Sequence, residues 1–444
     1  MPISECSQEM LQALKLKSVE QLFDDIPKPV RTDGLRLPEG VSELELQREM
    51  RAMMSANKPA SSHPTFLGAG VYHHFIPAAV KTIVSRGEFI TSYTPYQPEI
   101  SQGMLQSMFE YQSFMSELTA MDVVNSSMYD ASTALGEAVL MSHRIAGGGR
   151  KFLIGRAISP EKKLVAKTYA KGADISLEEV GYDQTTGLVD LNDLKAKLKE
   201  DVCGFYFESP NFFGPIETQA AEIRTTLGAK PMVMGVNPMA LALLRPPGDY
   251  GADIVIGDAQ VFGTPMNLGG PMIGLFACKT EHVRKMPGRL IGMTTDLEGR
   301  PAYCMTLQTR EQHIRRSKAT SNICTNESLL ALAAAAYLSV VGRTGLRAVA
   351  ARNVENMRSL ATRINSIKAF KAPWFKAPHF NEFVVSSEHL SEKVHRTLLA
   401  EGIQGGFVLD SAFPELRNSA LYATTEMHSR MDHDRLVKAL EAIR

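Results

Sequence analysis

Apolar positions along this chain change spacing several times, and each change predicts a different kind of element. Up to about residue 65 they are sparse and follow capping residues. Ser18-Val-Glu-Gln-Leu-Phe and Ser42-Glu-Leu-Glu-Leu-Gln-Arg-Glu-Met each read as the start of a helix, with the loop Pro27 to Pro38 between them. From His63 to Gln102 periodicity gives way to Pro, Gly, Tyr and His. A polar and aromatic loop of that length is uncommon in a compact protein unless it is functional. Helical spacing returns over Gly103 to Met121, with Leu105, Met108, Phe109, Gln112, Met115 and Leu118 on one face.

Beyond this the pattern alternates. Short apolar runs stand at Val123-Val124, Lys151 to Gly155, Ile175 to Val180, Gly204 to Glu208, Met232 to Val236, Ile254 to Asp258 and Met272 to Ala277. Helical stretches separate them, the clearest over Ala131 to Ala146. This rhythm predicts an α/β fold, a mainly parallel central sheet with helices on both faces. Apolar helices over 327–341 and 344–366 follow, split at Gly342. Strands at Phe383-Val-Val and Ala420-Leu-Tyr-Ala, with a last helix from Asp432, predict a smaller C-terminal α+β domain. The expected division is a helical arm (1–65), a large α/β domain (66–330), and a helical linker with the small domain (331–444).

Composition narrows the function classes. Acids and bases balance at 48 each and the pI is near 7.2, so nothing steers the chain toward nucleic acid or an anionic membrane. The five cysteines (Cys6, Cys203, Cys278, Cys304, Cys324) are odd in number and form no CxxC pair. They support neither a zinc site nor a disulfide framework, and a reducing, cytoplasmic location is expected. Residues 1–20 include Glu5, Glu9 and Glu20 and no apolar run, so no secretion signal is expected there. Leu329 to Val341 falls short of the roughly 20 residues of a bilayer span and reads as a buried Ala-rich helix.

Several chemistry-bearing features carry bland readings. Gly147-Gly-Gly149 precedes a strand, the reverse of a phosphate-binding loop, and reads as a turn. His73-His74 reads as loop packing in preference to a metal site, and no metal centre is expected. Arg315-Arg316 with Lys318 reads equally as an anion grip and as a solvated basic turn. Two stretches are richer. Tyr93-Thr94-Pro-Tyr96-Gln97-Pro-Glu99-Ile-Ser-Gln-Gly103 gathers aromatics, hydroxyls, amides and a carboxylate of the kind that line a polar pocket, although a proline-stiffened packing turn has the same composition. Ile254-Val-Ile-Gly-Asp258-Ala-Gln260-Val-Phe-Gly-Thr-Pro265-Met-Asn-Leu-Gly269-Gly270 runs a buried strand into a polar, glycine-bearing loop. Open α/β sheets place ligands at such strand ends, and ordinary connections also look like this.

Taken with Phe66-Leu-Gly-Ala-Gly-Val-Tyr72, Asn125-Ser-Ser-Met-Tyr-Asp-Ala-Ser-Thr-Ala134 and Arg316-Ser-Lys-Ala-Thr-Ser-Asn-Ile-Cys-Thr325, these stretches resemble glycine decarboxylase, the P-protein family of the glycine cleavage system. The resemblance runs over nearly the whole chain. Some family members are one long chain with two homologous halves and others are split in two; this chain resembles the first half, the α subunit (subunit 1). The resemblance implies an aspartate-aminotransferase-type (fold type I) pyridoxal-phosphate fold. It implies a reaction in which the cofactor forms an aldimine with glycine, carbon dioxide leaves, and the aminomethyl group passes to the lipoyl arm of the H-protein.

The sequence departs from the family's catalytic half at two places. Where that half carries the Schiff-base lysine, this chain has Gln260, and an amide forms no imine. The preceding strand ends Gly235-Val236-Asn237, without the carboxylate that holds the pyridinium proton. Neither Lys279 nor Lys318 has the strand-to-glycine-loop setting. The resemblance therefore implies no catalytic residue and no cofactor on this chain, with pyridoxal phosphate on a catalytic β partner in an α2β2 assembly. Tyr93, Thr94, Tyr96, Gln97, Thr320, Ser321 and Asn322 are expected to border the partner's pocket. The H-protein and the T- and L-proteins of the same system are expected partners. The helix opened by Tyr129-Asp-Ala-Ser-Thr133 offers N-terminal amides to an anion. The chain's own site is nevertheless expected to be filled, with Gln260 hydrogen-bonded inside it. A docking scaffold that only stabilises the partner, and an independent pyridoxal-phosphate enzyme, are the competing functions.

Overall fold

The strands follow the apolar runs nearly residue for residue. In the computed structural model, which describes residues 7–32 and 34–443, seven of them form one sheet. They are β1 (Val123–Val124), β2 (Lys151–Gly155), β3 (Ser176–Val180), β4 (Val202–Ser209), β5 (Met232–Val236), β6 (Ile254–Asp258) and β7 (Gly274–Cys278). Their order is β1-β7-β6-β5-β4-β2-β3, with β3, β2, β4, β5 and β6 parallel and β7 antiparallel to both of its neighbours. Strands β4, β5 and β7 are buried along their whole length, which is why they read as unbroken apolar runs and not as alternating ones. Two large apolar clusters cover the sheet, one including Met108, Phe207 and Tyr337, the other Leu135, Tyr206 and Phe276.

A hairpin, β8 (Leu290–Thr295) with β9 (Pro301–Thr306), leaves this body; its periodicity is too weak to have been read from the sequence. Its turn is set by Asp296, whose carboxylate accepts the N–H groups of Glu298 and Arg300 at 3.0 and 2.8 Å. The helical run Ser328–Asn365 breaks at Gly342 (φ 63°, ψ 178°), as the split pattern predicted, and its first half is buried over Ala331 to Leu338. The C-terminal sheet, all antiparallel, has the order β10 (Phe370–Lys371), β11 (Glu382–Ser387), β13 (Ser419–Ala423), β12 (Phe407–Val408).

Two compact units divide the chain, Met1–Lys58 and Pro59–Arg444. In the first, the helix Glu43–Met54 begins at a capping box in which Ser42 and Glu45 satisfy each other's N–H groups. The stretch from His63 to Gln102 is less irregular than expected, because Ala78–Val84 and Gly87–Ile90 are helical within it. Residues flanking prolines and glycines can still close single helical turns when a neighbouring helix covers them, as Val80 shows by being buried. Cys6 lies outside the described residues, and Cys203, Cys278, Cys304 and Cys324 are free thiols.

Candidate functional site

A cavity of about 160 Å³ opens at the carboxyl ends of β4, β5 and β6, where open α/β sheets bind ligands. Its wall includes Tyr72, Asp130, Lys162, Glu208, Asp258 and Glu382. The expectation of a filled site is therefore corrected: space remains, and Gln260 does not line it. The physical reason is that the Gln260 amide is turned to backbone groups of Tyr72 and Thr264 and not into the open space. Only 1% exposed, it donates through Nε2 to the carbonyls of Tyr72 (2.9 Å) and Thr264 (2.8 Å) and accepts from the Tyr72 N–H through Oε1 (3.1 Å). Backbone groups of Tyr72, 188 residues away, and of Thr264, four residues on, have captured the side chain.

The amides that open the helix Ala131–Ala146 are engaged by acids. Asp130 caps it, accepting the Thr133 N–H at 2.7 Å, and Asp258 accepts the Ala131 N–H at 3.3 Å. Asp258 also accepts from the N–H groups of Gln260 and Ile273, at 2.9 and 3.3 Å. Two carboxylates thus take two of the first-turn N–H groups, those of Ala131 and Thr133, that an incoming phosphate would use. Burial pushes the Asp258 carboxyl up to about 7, against the pull of those three N–H donors.

The rest of the wall is a buried charge network that sequence reading missed. Lys162 donates to Glu208 at 2.7 Å, and the Tyr206 hydroxyl donates to the same oxygen at 2.6 Å. Glu382, from the start of β11, accepts from the Tyr72 hydroxyl and the Ala69 N–H, both at 2.7 Å. Burial raises Glu382 to about 7 despite these donors and the Lys162 charge. Burial acts to lower Lys162, but the charge and hydrogen bond of Glu208, with Asp258 and Glu382 beyond, outweigh it and hold the ammonium above its ordinary value. Such an ammonium has no free lone pair for attack on a carbonyl. The one sequence signal was Glu208 itself, an acid closing the apolar run Gly204-Phe-Tyr-Phe. Nothing local pointed to Lys162 or Glu382, which arrive from 46 residues before and 174 after it.

Other lysines are committed elsewhere. Lys279 pairs with Asp253 at 2.5 Å, and Lys318 sits exposed in the basic turn. Asn237 does line the cavity, with no carboxylate at the end of β5.

The strand-to-loop stretch 254–270 lines this cavity through Ile256, Gly257, Asp258, Val261 and Gly269, whereas neither 93–97 nor 320–322 reaches it. Tyr93 is 82% exposed, Tyr96 is 46% exposed, Gln97 is exposed and Thr94 half-buried. Thr320 and Ser321 are half-buried and Asn322 exposed, with the Thr320 N–H bound to the Arg310 carbonyl at 3.0 Å. The two loops are nevertheless joined, through a residue the sequence did not flag. Arg289 donates to the Tyr96 hydroxyl (3.2 Å), to Asn326 Oδ1 (3.1 Å) and to the Cys324 carbonyl. Its guanidinium lies 5.4 Å from the Tyr96 ring centre. Ser321, Asn322 and Arg316 also border a separate surface pocket with Glu137 and Tyr169.

Known proteins match this arrangement end to end. The family model described as glycine cleavage system P-protein matches residues 2–440. The probable glycine dehydrogenase (decarboxylating) subunit 1 of Pyrococcus abyssi is 47% identical over 448 residues, covering 100% of this chain and 98% of the relative. Its counterpart in Anoxybacillus flavithermus is 46% identical over 438 residues, covering 98% and 97%. Among solved structures, glycine decarboxylase (P-protein) of the glycine cleavage system, in inhibitor-bound form, superposes with a TM-score of 0.92 at 38% identity, covering 100% of this chain and 99% of that one. The sphingosine-1-phosphate lyase of Burkholderia pseudomallei, at 13% identity and a TM-score of 0.66, shares the fold alone, over 94% of this chain and 93% of that one.

Proposed function

This chain belongs to the glycine cleavage system P-protein family, and from that premise we propose that it is the half of a shared active site that binds no cofactor. Its relatives' designation as subunit 1 of a decarboxylating glycine dehydrogenase implies a second subunit, and the reaction is the oxidative decarboxylation of glycine. Pyridoxal phosphate sits on that second, catalytic subunit, in an α2β2 assembly that passes the aminomethyl group to the lipoyl arm of the H-protein. The T- and L-proteins complete the system.

One observation carries the reading: the cavity where this fold would hold the cofactor does not fit it. Gln260 occupies the lysine position and is bound to the backbone of Tyr72. Asn237 replaces the carboxylate, and Asp130 and Asp258 set two acids at the helix N-terminus a phosphate would need, already bound to the Thr133 and Ala131 N–H groups. A phosphate placed there would also meet Glu208 and Glu382 across the cavity. No step is therefore assigned to a cofactor on this chain. Tyr93, Thr94, Tyr96 and Gln97, together with Thr320, Ser321 and Asn322, complete the partner's pocket. Exposed aromatics and amides that make no use of the chain's own cavity support this part.

Glycine–bicarbonate exchange tests it, with this chain alone, its catalytic subunit alone, and both. Exchange is expected only with both present, and Tyr96→Phe and Thr320→Ala are expected to depress it. Because more than the lysine is missing, Gln260→Lys is expected to give no borohydride-reducible visible band with pyridoxal phosphate. Exchange by this chain alone, or such a band, would overturn the reading.

A further inference from the structure

Arg289 is 3% exposed, yet none of its hydrogen-bond acceptors is a carboxylate, and among the described residues it forms no ion pair. Its Nε is buried without a partner. A buried charge with only neutral partners costs free energy unless the surrounding structure gains by it. What Arg289 joins is unusual. Tyr96 lies 193 residues before it, and Cys324 and Asn326 lie 35 and 37 after it. Its own carbonyl accepts the Ser126 N–H at 2.8 Å, which fixes the base of the side chain against the central sheet.

We propose that Arg289 is a positioning residue for glycine decarboxylation, clamping the 93–97 loop to the 320–326 segment so that both meet the catalytic partner as one surface. This rests on the reading that those loops complete the partner's pocket. The guanidinium suits the task because its planar fork serves several acceptors in fixed directions, which a single ammonium cannot do. One Nη satisfies Asn326; the other serves both the Tyr96 hydroxyl and the Cys324 carbonyl. The contact with the Tyr96 ring sets the tilt of the aromatic plane as well as the direction of its hydroxyl. His313 packs edge-on to the same ring at 6.0 Å, so the ring is held from two sides while nearly half of it stays exposed.

Arg310 provides an internal comparison. It too is buried and bound to carbonyls, those of Met286, Gly288 and Leu307, but its side chain hydrogen-bonds to neither loop. Its side chain serves backbone carbonyls alone, and only its own carbonyl meets the second loop, at the Thr320 N–H.

The test uses the assembled complex, with kcat and KM for glycine read from exchange. Arg289→Met is expected to lower kcat/KM by about ten- to a hundredfold, the scale of a small misplacement at an active site. Arg289→Lys is expected to recover little of it. Adding Tyr96→Phe to Arg289→Met is expected to cost less than Tyr96→Phe alone, since the clamp is already lost. Strict additivity in the double variant, or full activity in Arg289→Lys, overturns the assignment. Where Arg289→Met fails to assemble, Arg289→Lys, which keeps the charge, decides on the same criterion. Unimpaired Arg289→Met beside impaired Tyr96→Phe and Thr320→Ala refutes the clamp alone. All three unimpaired refutes the shared site as well.

Discussion

Replacing Gln260 by alanine separates a structural role from a catalytic one. The side chain is buried and makes three neutral hydrogen bonds of 2.8 to 3.1 Å, all with backbone groups. Each such bond contributes about 0.5–1.5 kcal/mol net, and more when its removal strands a buried backbone group. Gln260→Ala would strand the Tyr72 N–H and leave the carbonyls of Tyr72 and Thr264 short of a donor. The expected loss is about 2–4 kcal/mol. In a unit as large as Pro59–Arg444 that corresponds to a fall in Tm on the order of 5 °C. Differential scanning calorimetry of the isolated chain would read it. Exchange activity of the complex with its catalytic subunit, measured well below both transitions, should be close to that of the unmodified chain, because the amide faces Tyr72 and not a reacting centre. An unchanged Tm would show that the three bonds are not made as described. An unchanged Tm together with lost exchange would make Gln260 a participant in the reaction, and this chain would not be a non-catalytic half.

Two further outcomes follow from the charge network. Folded Glu382 titrates at about 7 because it is buried, whereas the unfolded chain releases that proton near the ordinary 4.5. The native state therefore holds an extra proton in that window. The stabilisation is full below about 4.5 and is lost as pH rises through about 7. Melting curves across that range should flatten in Glu382→Gln relative to the unmodified chain, and identical slopes would refute the assignment. Lys162→Met should destabilise by about 3 kcal/mol, since the lysine side chain is only 23% exposed and its loss leaves Glu208 and Glu382 facing each other without a cation. Glu208→Gln added to Lys162→Met should restore much of that loss in a calorimetric comparison, and a further drop would contradict the pairing.

What was legible in the sequence was whatever short-range physics controls. Buried parallel strands announce themselves because both faces are apolar, so Lys151–Gly155 and Ile254–Asp258 could be placed to the residue. The break at Gly342 was visible because only glycine readily takes its backbone angles. The hairpin Leu290–Thr306 was not, because its exposed strand ends carry too little apolar period.

The same division holds for the site. Sequence alone established that an imine cannot form at Gln260, since an amide lacks the chemistry wherever it lies, and that Asn237 brings no carboxylate. Only the tertiary structure decided where the Gln260 amide goes, because two of its three hydrogen bonds are made 188 residues away at Tyr72. Nor could sequence show that Asp258 joins Asp130 at the helix N-terminus, or that Lys162, Glu208 and Glu382 converge on one cavity. Hydrogen bonds and Coulomb forces act over a few ångströms of space, and it is the fold that sets which distant residues come that close.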